Sequence, residues 1–267
     1  MRIGIVGYGV VGKTVSDYLE ENAKEIKQDL IDPVLENNLT ITSSKADAFI
    51  ICVPAPGNFD TLMSLKGECD DSIIKDVLEQ IGTSKPVLLK STVTPDLIKE
   101  YSDNVTYCPE FLRAKHAKED FETKEIFVVG GTSKKNIDFW KKIFNHKRFY
   151  ETDRQTASAI KYAYNSFLAT KVTFFHELKR KLPPQINYEQ MVGALSQMKN
   201  IGPSHMKAPN SDGELGFGGE CFPKDIDAFL IYINQYYLKN PIGAGMGRLD
   251  ILNYIKNAND KLKIDAL

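Results

Sequence analysis

The chain has 267 residues, enough for one large domain or two of ordinary size, with 42% hydrophobic and 26% charged residues. Its 34 Lys plus Arg against 35 Asp plus Glu leave a net charge of −1, and no basic stripe is interleaved with aromatics, so neither a polyanionic partner nor nucleic acid is expected. The four cysteines (Cys52, Cys69, Cys108, Cys221) and four histidines (His116, His146, His176, His205) are scattered without C-x-x-C or metal-ligand spacing, which predicts no metal centre and a reduced, cytoplasmic protein.

Met1 to Val6 runs straight into a strand-like pattern, so no signal peptide is expected, and no apolar run approaches membrane-spanning length. The run stops at Gly7-Tyr8-Gly9-Val10-Val11-Gly12, and Lys13 to Ile26 then has helical spacing. Strand, glycine turn and helix are the context that gives G-x-G-x-x-G its meaning: the glycines permit a tight turn and close approach of a pyrophosphate to the helix N-terminus. A short second strand, Asp29-Leu30-Ile31, ends at Asp32, where an acidic residue suits an adenosine ribose and favours NAD over NADP. Gly7 to Thr14 also satisfies G-x-x-x-x-G-K-[ST], a triphosphate-binding loop. The third strand, Ala48 to Val53, ends in Pro54-Ala55-Pro56 with no aspartate for magnesium, which favours the dinucleotide reading and leaves the other open.

Alternation continues as in a doubly wound sheet. Asp70–Gly82 reads as a helix, Pro86–Lys90 as a strand ending at Ser91-Thr92, Pro95–Tyr101 as a short helix, and Val105–Tyr107 as a strand ending at Cys108-Pro109-Glu110. Glu125–Val129 is a further strand, Lys134–Phe144 a helix and Arg148–Tyr150 an edge strand. Ligands bind such sheets at the carboxyl ends of strands, where Val53-Pro54, Ser91-Thr92 and Glu110 fall.

The pattern changes near residue 151. Asp153–Leu182 reads as one long helix, apolar nearly all round its middle and therefore buried against the sheet domain, later helices or a second subunit, and stopped by Pro183-Pro184. Lys161 and Asn165, four apart, either aim at one ligand or are a solvated lysine and an asparagine in a core slot; on spacing alone the second is the safer reading. His176-Glu177 reads as surface polarity. Tyr188–Gln197 is a short helix, Asn200–Gly219 a loop, and Asp225–Leu238 and Gly247–Leu262 are two final helices. Between loop and helix stands Gly216-Phe217-Gly218-Gly219-Glu220-Cys221-Phe222-Pro223-Lys224-Asp225. A thiol beside a lysine can act as a nucleophile, although a lone cysteine is more often inert and buried.

Six segments in one order carry a resemblance: Gly7 to Gly12, Cys52-Val53-Pro54-Ala55-Pro56, Lys90-Ser91-Thr92-Val93, Pro109-Glu110-Phe111-Leu112-Arg113, Lys161 to Ala169, and Gly216 to Asp225. Together they resemble the UDP-glucose/GDP-mannose dehydrogenase family over almost the whole chain, which decides for the dinucleotide. The resemblance implies an α/β fold: a Rossmann-like, mostly parallel sheet at 1–152 binding NAD, then an α-helical central domain at 153–267 with one long helix serving as a homodimer core. It implies oxidation of a sugar-nucleotide C6 alcohol to the acid with two NAD+, for supply of a polysaccharide. Lys161 and Asn165 then hold the C6 oxygen, Asp225 and Thr92 position a water, Cys221 captures the aldehyde as a thiohemiacetal that becomes a thioester, and Glu110 is the base for hydrolysis. Gly7, Tyr8, Gly9, Val10, Val11, Gly12, Asp32, Val53, Pro54, Ser91, Thr92 and Lys224 are the implied cofactor residues. Glu110, Phe111, Leu112, Arg113, Lys161, Asn165, Phe217, Gly218 and Gly219 are the implied substrate residues.

Four departures accompany it. Family members continue into a second α/β domain that holds much of the sugar nucleotide, so the nucleotide end is expected to be held differently, weakly or by another subunit. Ala114 stands where many members have glutamate, Asn200 where they have an arginine reaching the neighbouring subunit's substrate, and Ala55 where they have threonine. The segment between strands two and three is short. UDP-glucose is the first expected substrate; GDP-mannose, a UDP-N-acetylhexosamine, a two-electron β-hydroxyacid oxidation and a catalytically weak partner of a longer enzyme are the alternatives.

Overall fold

The structure is a computed structural model, and it describes every residue except 38, 58–66, 124–125, 212, 241–248 and 265–267. The described residues fall into two compact units, 1–57 with 69–161 and 67–68 with 162–264. None of the described helices is long and apolar enough to cross a membrane.

The first unit is built on β1 (Arg2–Val6), β2 (Lys27–Ile31), β3 (Ala48–Ile51), β4 (Val87–Leu89), β5 (Val105–Tyr107), β6 (Ile126–Gly130) and β7 (Arg148–Thr152). They form one sheet in the order β2-β1-β3-β4-β5-β6-β7, parallel throughout except where β5 meets β6. Central strands of such a sheet are covered on both faces, so they read as unbroken apolar runs, and Ile3, Ile5, Ala48, Ile50 and Leu88 are all buried. The helices are α1 (Val10–Asn22), α2 (Ser72–Ile81), α3 (Pro95–Lys99), α4 (Ala117–Thr123) and α5 (Lys134–Ile143). Tyr18 of α1 meets Phe121 at 5.1 Å and Phe144 at 5.8 Å, Phe127 meets both of those rings, and Trp140 is fully buried in the same core. The strand order turns back between β1 and β3, the switch point at which an open sheet leaves a crevice beyond its strand ends.

The second unit holds most of α6 (Arg154–Lys181), with α7 (Tyr188–Ser196), α8 (Cys221–Lys239) and α9 (Asp250–Ile264). Its core joins Ala169 and Val172 of α6, Phe217, Ile226 and Leu230, and Leu252 and Ile255 of α9. Asp153 starts α6: its carboxylate accepts from the Thr156 amide at 2.8 Å and the Thr156 hydroxyl at 2.6 Å, satisfying one of the orphan donors of the first turn.

Several expectations change. Helix α1 starts three residues before Lys13, at Val10, directly on the glycine turn, and ends at Asn22; Ile26 stays buried outside it. A short 3₁₀ turn at Ala114–His116 leads into α4, in a stretch where the sequence pattern predicted no element. The segment from β2 to β3 carries only turns among its described residues. Helix α6 leaves Phe167 67% and Phe174 56% exposed on the single chain, so on that side the expected burial would have to come from a second subunit. Helix α8 begins at Cys221 rather than Asp225, because Pro223 falls in the first turn, where an amide has no intrahelical acceptor to lose. The expected starts of two elements, Glu125 and Gly247, lie outside the described residues.

Candidate active site

The glycine turn packs against the end of β3. Gly7 has φ +90°, and a Cβ there would stand 2.8 Å from the Cys52 carbonyl and the Val53 amide, so only glycine passes. A Cβ on Gly12 would lie 1.9 Å from the Gly7 carbonyl oxygen. Gly9 is the opposite case, with nothing within 4 Å of a Cβ. It is also the N-cap of α1, with no side chain bonded to the first-turn amides and no acidic residue beside them. Asp32, just past β2, accepts from the Tyr8 amide at 2.6 Å and the Val34 amide at 2.9 Å. Each oxygen keeps a further lone pair for a ribose hydroxyl. First-turn amides that no side chain caps, open backbone at Gly9 and a carboxylate at the strand end fit the pyrophosphate and ribose of NAD. Tyr8 and Val11 are half-buried, and Val10 is exposed at the start of α1.

The ends of β3, β4 and β5 hold the next group. Ser91 donates to the Val53 carbonyl at 2.6 Å, which ties β4 to the Pro54 turn. Thr92 is half-buried and its carbonyl accepts from Cys69 Sγ at 3.8 Å. Lys90 is buried, with its Nζ 2.9 Å from Glu110 Oε2, 3.5 Å from Cys108 Sγ and 4.6 Å from the centre of the Phe127 ring. Burial works against that ammonium, while the Cys108 sulfur and the Glu110 carboxylate raise it by more, so it stays charged. Glu110 Oε1 also accepts from the Phe111 amide at 2.9 Å. Burial pushes the Cys52 thiol up to about 12 and raises that of Cys108, while the Lys90 ammonium works in the opposite direction on both. Leu112 packs on the core, and Arg113 is held by Asp120 through its amide at 2.7 Å and its guanidinium at 2.7 and 3.0 Å. Lys161 is buried, its Nζ 5.3 Å from the centre of the Phe111 ring, and Ser158 one turn before it donates to the Val93 carbonyl at 2.6 Å.

In the second unit Asn165 Nδ2 donates to Asp225 Oδ2 at 2.6 Å, and Lys224 Nζ donates to Asp225 Oδ1 at 2.7 Å. Asn165 and Asp225 are both buried, so this is a paired and hydrogen-bonded charge away from water, the form in which a buried carboxylate persists. Cys221, four residues before Asp225, is exposed as the first residue of α8, at the positive end of the helix. Gly218 and Gly219 are loop residues beside it, and a Cβ on Gly219 would meet nothing within 4 Å. Phe217 differs from its implied part. Its ring is in the core, and its amide and carbonyl are bonded to Asn259 Oδ1 at 2.5 Å and Nδ2 at 3.2 Å, so it anchors the loop.

Sequence reasoning missed His176. It is fully buried, accepting from the Gly216 amide through Nδ1 at 2.8 Å and donating through Nε2 to the Lys207 carbonyl at 2.9 Å. Its spacing of 4, 7 and 11 from Val172, Ala169 and Asn165 was the available signal, since i, i+4, i+7 and i+11 share one helix face. The Lys90–Glu110 pair was also unforeseen as a pair. Ala114 and Asn200 are exposed, and Ala55 is buried.

Comparison with known proteins agrees with both halves of this arrangement. The UDP-glucose/GDP-mannose dehydrogenase family's NAD binding domain matches residues 24–148 and its central domain residues 155–249. A UDP-glucose 6-dehydrogenase of Rickettsia felis is 34% identical over 209 residues, covering 72% of this chain and 45% of its own. Another, from Bacillus subtilis, is 32% identical over 235 residues, covering 76% of this chain and 47% of its own. The chain thus spans about half the length of the curated relatives it matches. Among solved structures, a UDP-glucose dehydrogenase from Pyrobaculum islandicum superposes with TM-score 0.77 at 20% identity, covering 97% of this chain and 68% of its own. A GDP-mannose dehydrogenase from Pseudomonas aeruginosa gives TM-score 0.59 at 19% identity, covering 99% and 69%. With the glycine turn, the strand-end segments and the cysteine-bearing helix all in place, the chain belongs to the UDP-glucose/GDP-mannose dehydrogenase family.

Proposed function

We propose that this chain acts as an NAD-dependent nucleotide-sugar 6-dehydrogenase, taking UDP-glucose to UDP-glucuronate for polysaccharide synthesis, with 1–152 binding NAD and 153–267 carrying the nucleophile. The observation that carries the reading is the buried Asn165–Asp225–Lys224 network at the start of the helix whose first residue is an exposed cysteine.

Bound NAD+ supplies the hydride acceptor, once for each oxidation. Lys161 and Asn165 donate to the C6 oxygen as its negative charge grows, and Asp225 with Thr92 orients the water that takes its proton. An aldehyde as such has no second hydride to give, so Cys221 sulfur bonds to C6 and the carbonyl oxygen gains a proton. That adduct still has a C–H bond and is oxidised to a thioester. Water then adds to the thioester carbon with Glu110 taking its proton, the C–S bond breaks, and Cys221 recovers its thiolate. Tyr164, Phe167 and Phe174 leave apolar surface exposed along α6, which suits a homodimer through this helix.

The test is stoichiometry. The purified chain should form two NADH per UDP-glucuronate, identified by mass, and Cys221→Ser should lose uronate production. Uronate formation by Cys221→Ser at the parent's rate would sink the thioester scheme. GDP-mannose and UDP-N-acetylhexosamines assayed alongside decide the sugar, and NAD binding without oxidation of any of them would leave a non-catalytic partner instead.

A further inference from the structure

The glycine-rich loop is held by side chains on every side. Gly216 has φ +81°, its amide donates to His176 Nδ1 at 2.8 Å, and its carbonyl accepts from Asn210 Nδ2 at 2.7 Å. The next residue, Phe217, is bonded at both amide and carbonyl by Asn259 of α9. Four consecutive backbone groups just before the cysteine helix are therefore satisfied by three side chains from α6, the loop and α9, and none by regular secondary structure. His176 and Asn259 are buried, and a Cβ on Gly216 would stand 2.5 Å from Asn259 Oδ1, so the loop backbone lies directly against its holder.

We propose that His176, with Asn259 and Asn210, is a positioning residue for Cys221: it fixes where the loop ends and α8 begins, and so where the sulfur sits. The same face of α6 serves both ends of this element. Asn165 bonds Asp225 inside α8, and His176, three turns on, bonds Gly216 ahead of it. At a rise of about 1.5 Å per residue the two anchors are roughly 16 Å apart along α6, so the pair sets the angle of loop and helix as well as their distance. The bonds also fix the tautomer. Nδ1 accepts an N–H and is therefore bare, while Nε2 carries the proton donated to Lys207. The work is done at Nδ1, and that makes it separable by substitution. Asparagine places Oδ1 where histidine has Nδ1, whereas glutamine reaches only the Nε2 position.

This inference rests on the dehydrogenase reading for its consequence in turnover, and its geometry can be tested without it. His176→Asn and His176→Gln are compared with the parent in three measurements: thermal midpoint, amide exchange of the segment 214–220, and kcat and KM with UDP-glucose and NAD+. The expected result is parent-like exchange and a kcat within about threefold for His176→Asn. For His176→Gln, exchange at Gly216 should be faster by about tenfold and kcat lower by 10- to 100-fold or so, with KM for NAD+ unchanged, as misplacement of a reacting group by about 1 Å costs. A side chain that only supports the fold would lower both midpoints alike and leave turnover per folded molecule intact. A folded His176→Gln that exchanges and turns over like the parent overturns the proposal. If the parent oxidises no sugar nucleotide, the dehydrogenase reading fails and the exchange comparison alone decides the clamp. Should His176→Gln not fold, Asn210→Ala, which removes only the donor to the Gly216 carbonyl, must show the same exchange and kcat pattern or the proposal falls.

Discussion

Two alanine substitutions in the glycine turn should have opposite consequences. At Gly12 a methyl would lie 1.9 Å from the Gly7 carbonyl oxygen, a backbone atom that cannot rotate away. Relieving it requires movement of roughly an ångström or more in a turn fixed on three sides, by the Ile31 carbonyl at 2.9 Å, by β3 at Cys52 and by Asp32. Overpacking of that kind costs about 1–3 kcal/mol. At Gly9 a methyl meets nothing within 4 Å, and φ −74° with ψ −161° is open to any residue. Two small terms then oppose each other: a poorer N-cap loses about 0.5–1 kcal/mol, and a stiffer unfolded chain returns about 0.4–1 kcal/mol. Gly9→Ala should therefore melt within a few degrees of the parent, yet its methyl projects into the space the pyrophosphate needs. Calorimetric titration should show NAD affinity reduced tenfold or more, about 1.4 kcal/mol. Gly12→Ala should lose stability without cofactor present. Parent-like NAD affinity in Gly9→Ala would refute the placing of the pyrophosphate at this turn, and a parent-like melting point in Gly12→Ala would refute the close packing.

Brief alkylation of the native protein at mildly alkaline pH should label Cys221 and spare Cys52, Cys69 and Cys108, by peptide mass mapping, because only the first is exposed and burial raises the thiols of Cys52 and Cys108. Asp153→Ala should cost about 1 kcal/mol near neutral pH through loss of the α6 cap. The hydroxyl and amide of Thr156 hold the Asp153 carboxyl below its ordinary value, so its contribution is present above the unfolded value near 4 and lost as pH falls through the folded one. Denaturant midpoints of parent and variant should accordingly converge in acid, and a constant gap would contradict the cap. Phe167→Glu should shift the oligomer towards monomer in sedimentation while leaving helix content unchanged, and an unmoved distribution would place the dimer contact elsewhere.

The sheet was legible because buried parallel strands must be apolar along their length, as Ile3 to Val6 and Ala48 to Ile51 are. The turn at Gly7 was legible because its chemistry depends on absent side chains, which a sequence shows directly. Less was visible at α8, where Pro223 reads as a helix breaker although in a first turn it sacrifices no bond. Helix α4 was missed because it is short and polar, with only Asp120 and Phe121 buried. His176 stands in the polar run His-Glu-Leu-Lys-Arg-Lys, and its neighbours' charges masked a position on the same stripe as Asn165. Pairings between distant residues, such as Lys90 with Glu110 or Gly216 with His176, have no periodic signature at all.

Trp140 is the chain's sole tryptophan, and it lies fully enclosed in the aromatic core of the first unit. Indole emission is thereby an intrinsic reporter of that unit alone, blind to melting of α7, α8 and α9. Far-ultraviolet dichroism, dominated by helix, sees both. Heating the untouched protein while recording the two signals would show whether the NAD-binding half and the cysteine-bearing half unfold together or in succession, and added NAD should delay the fluorescence change first.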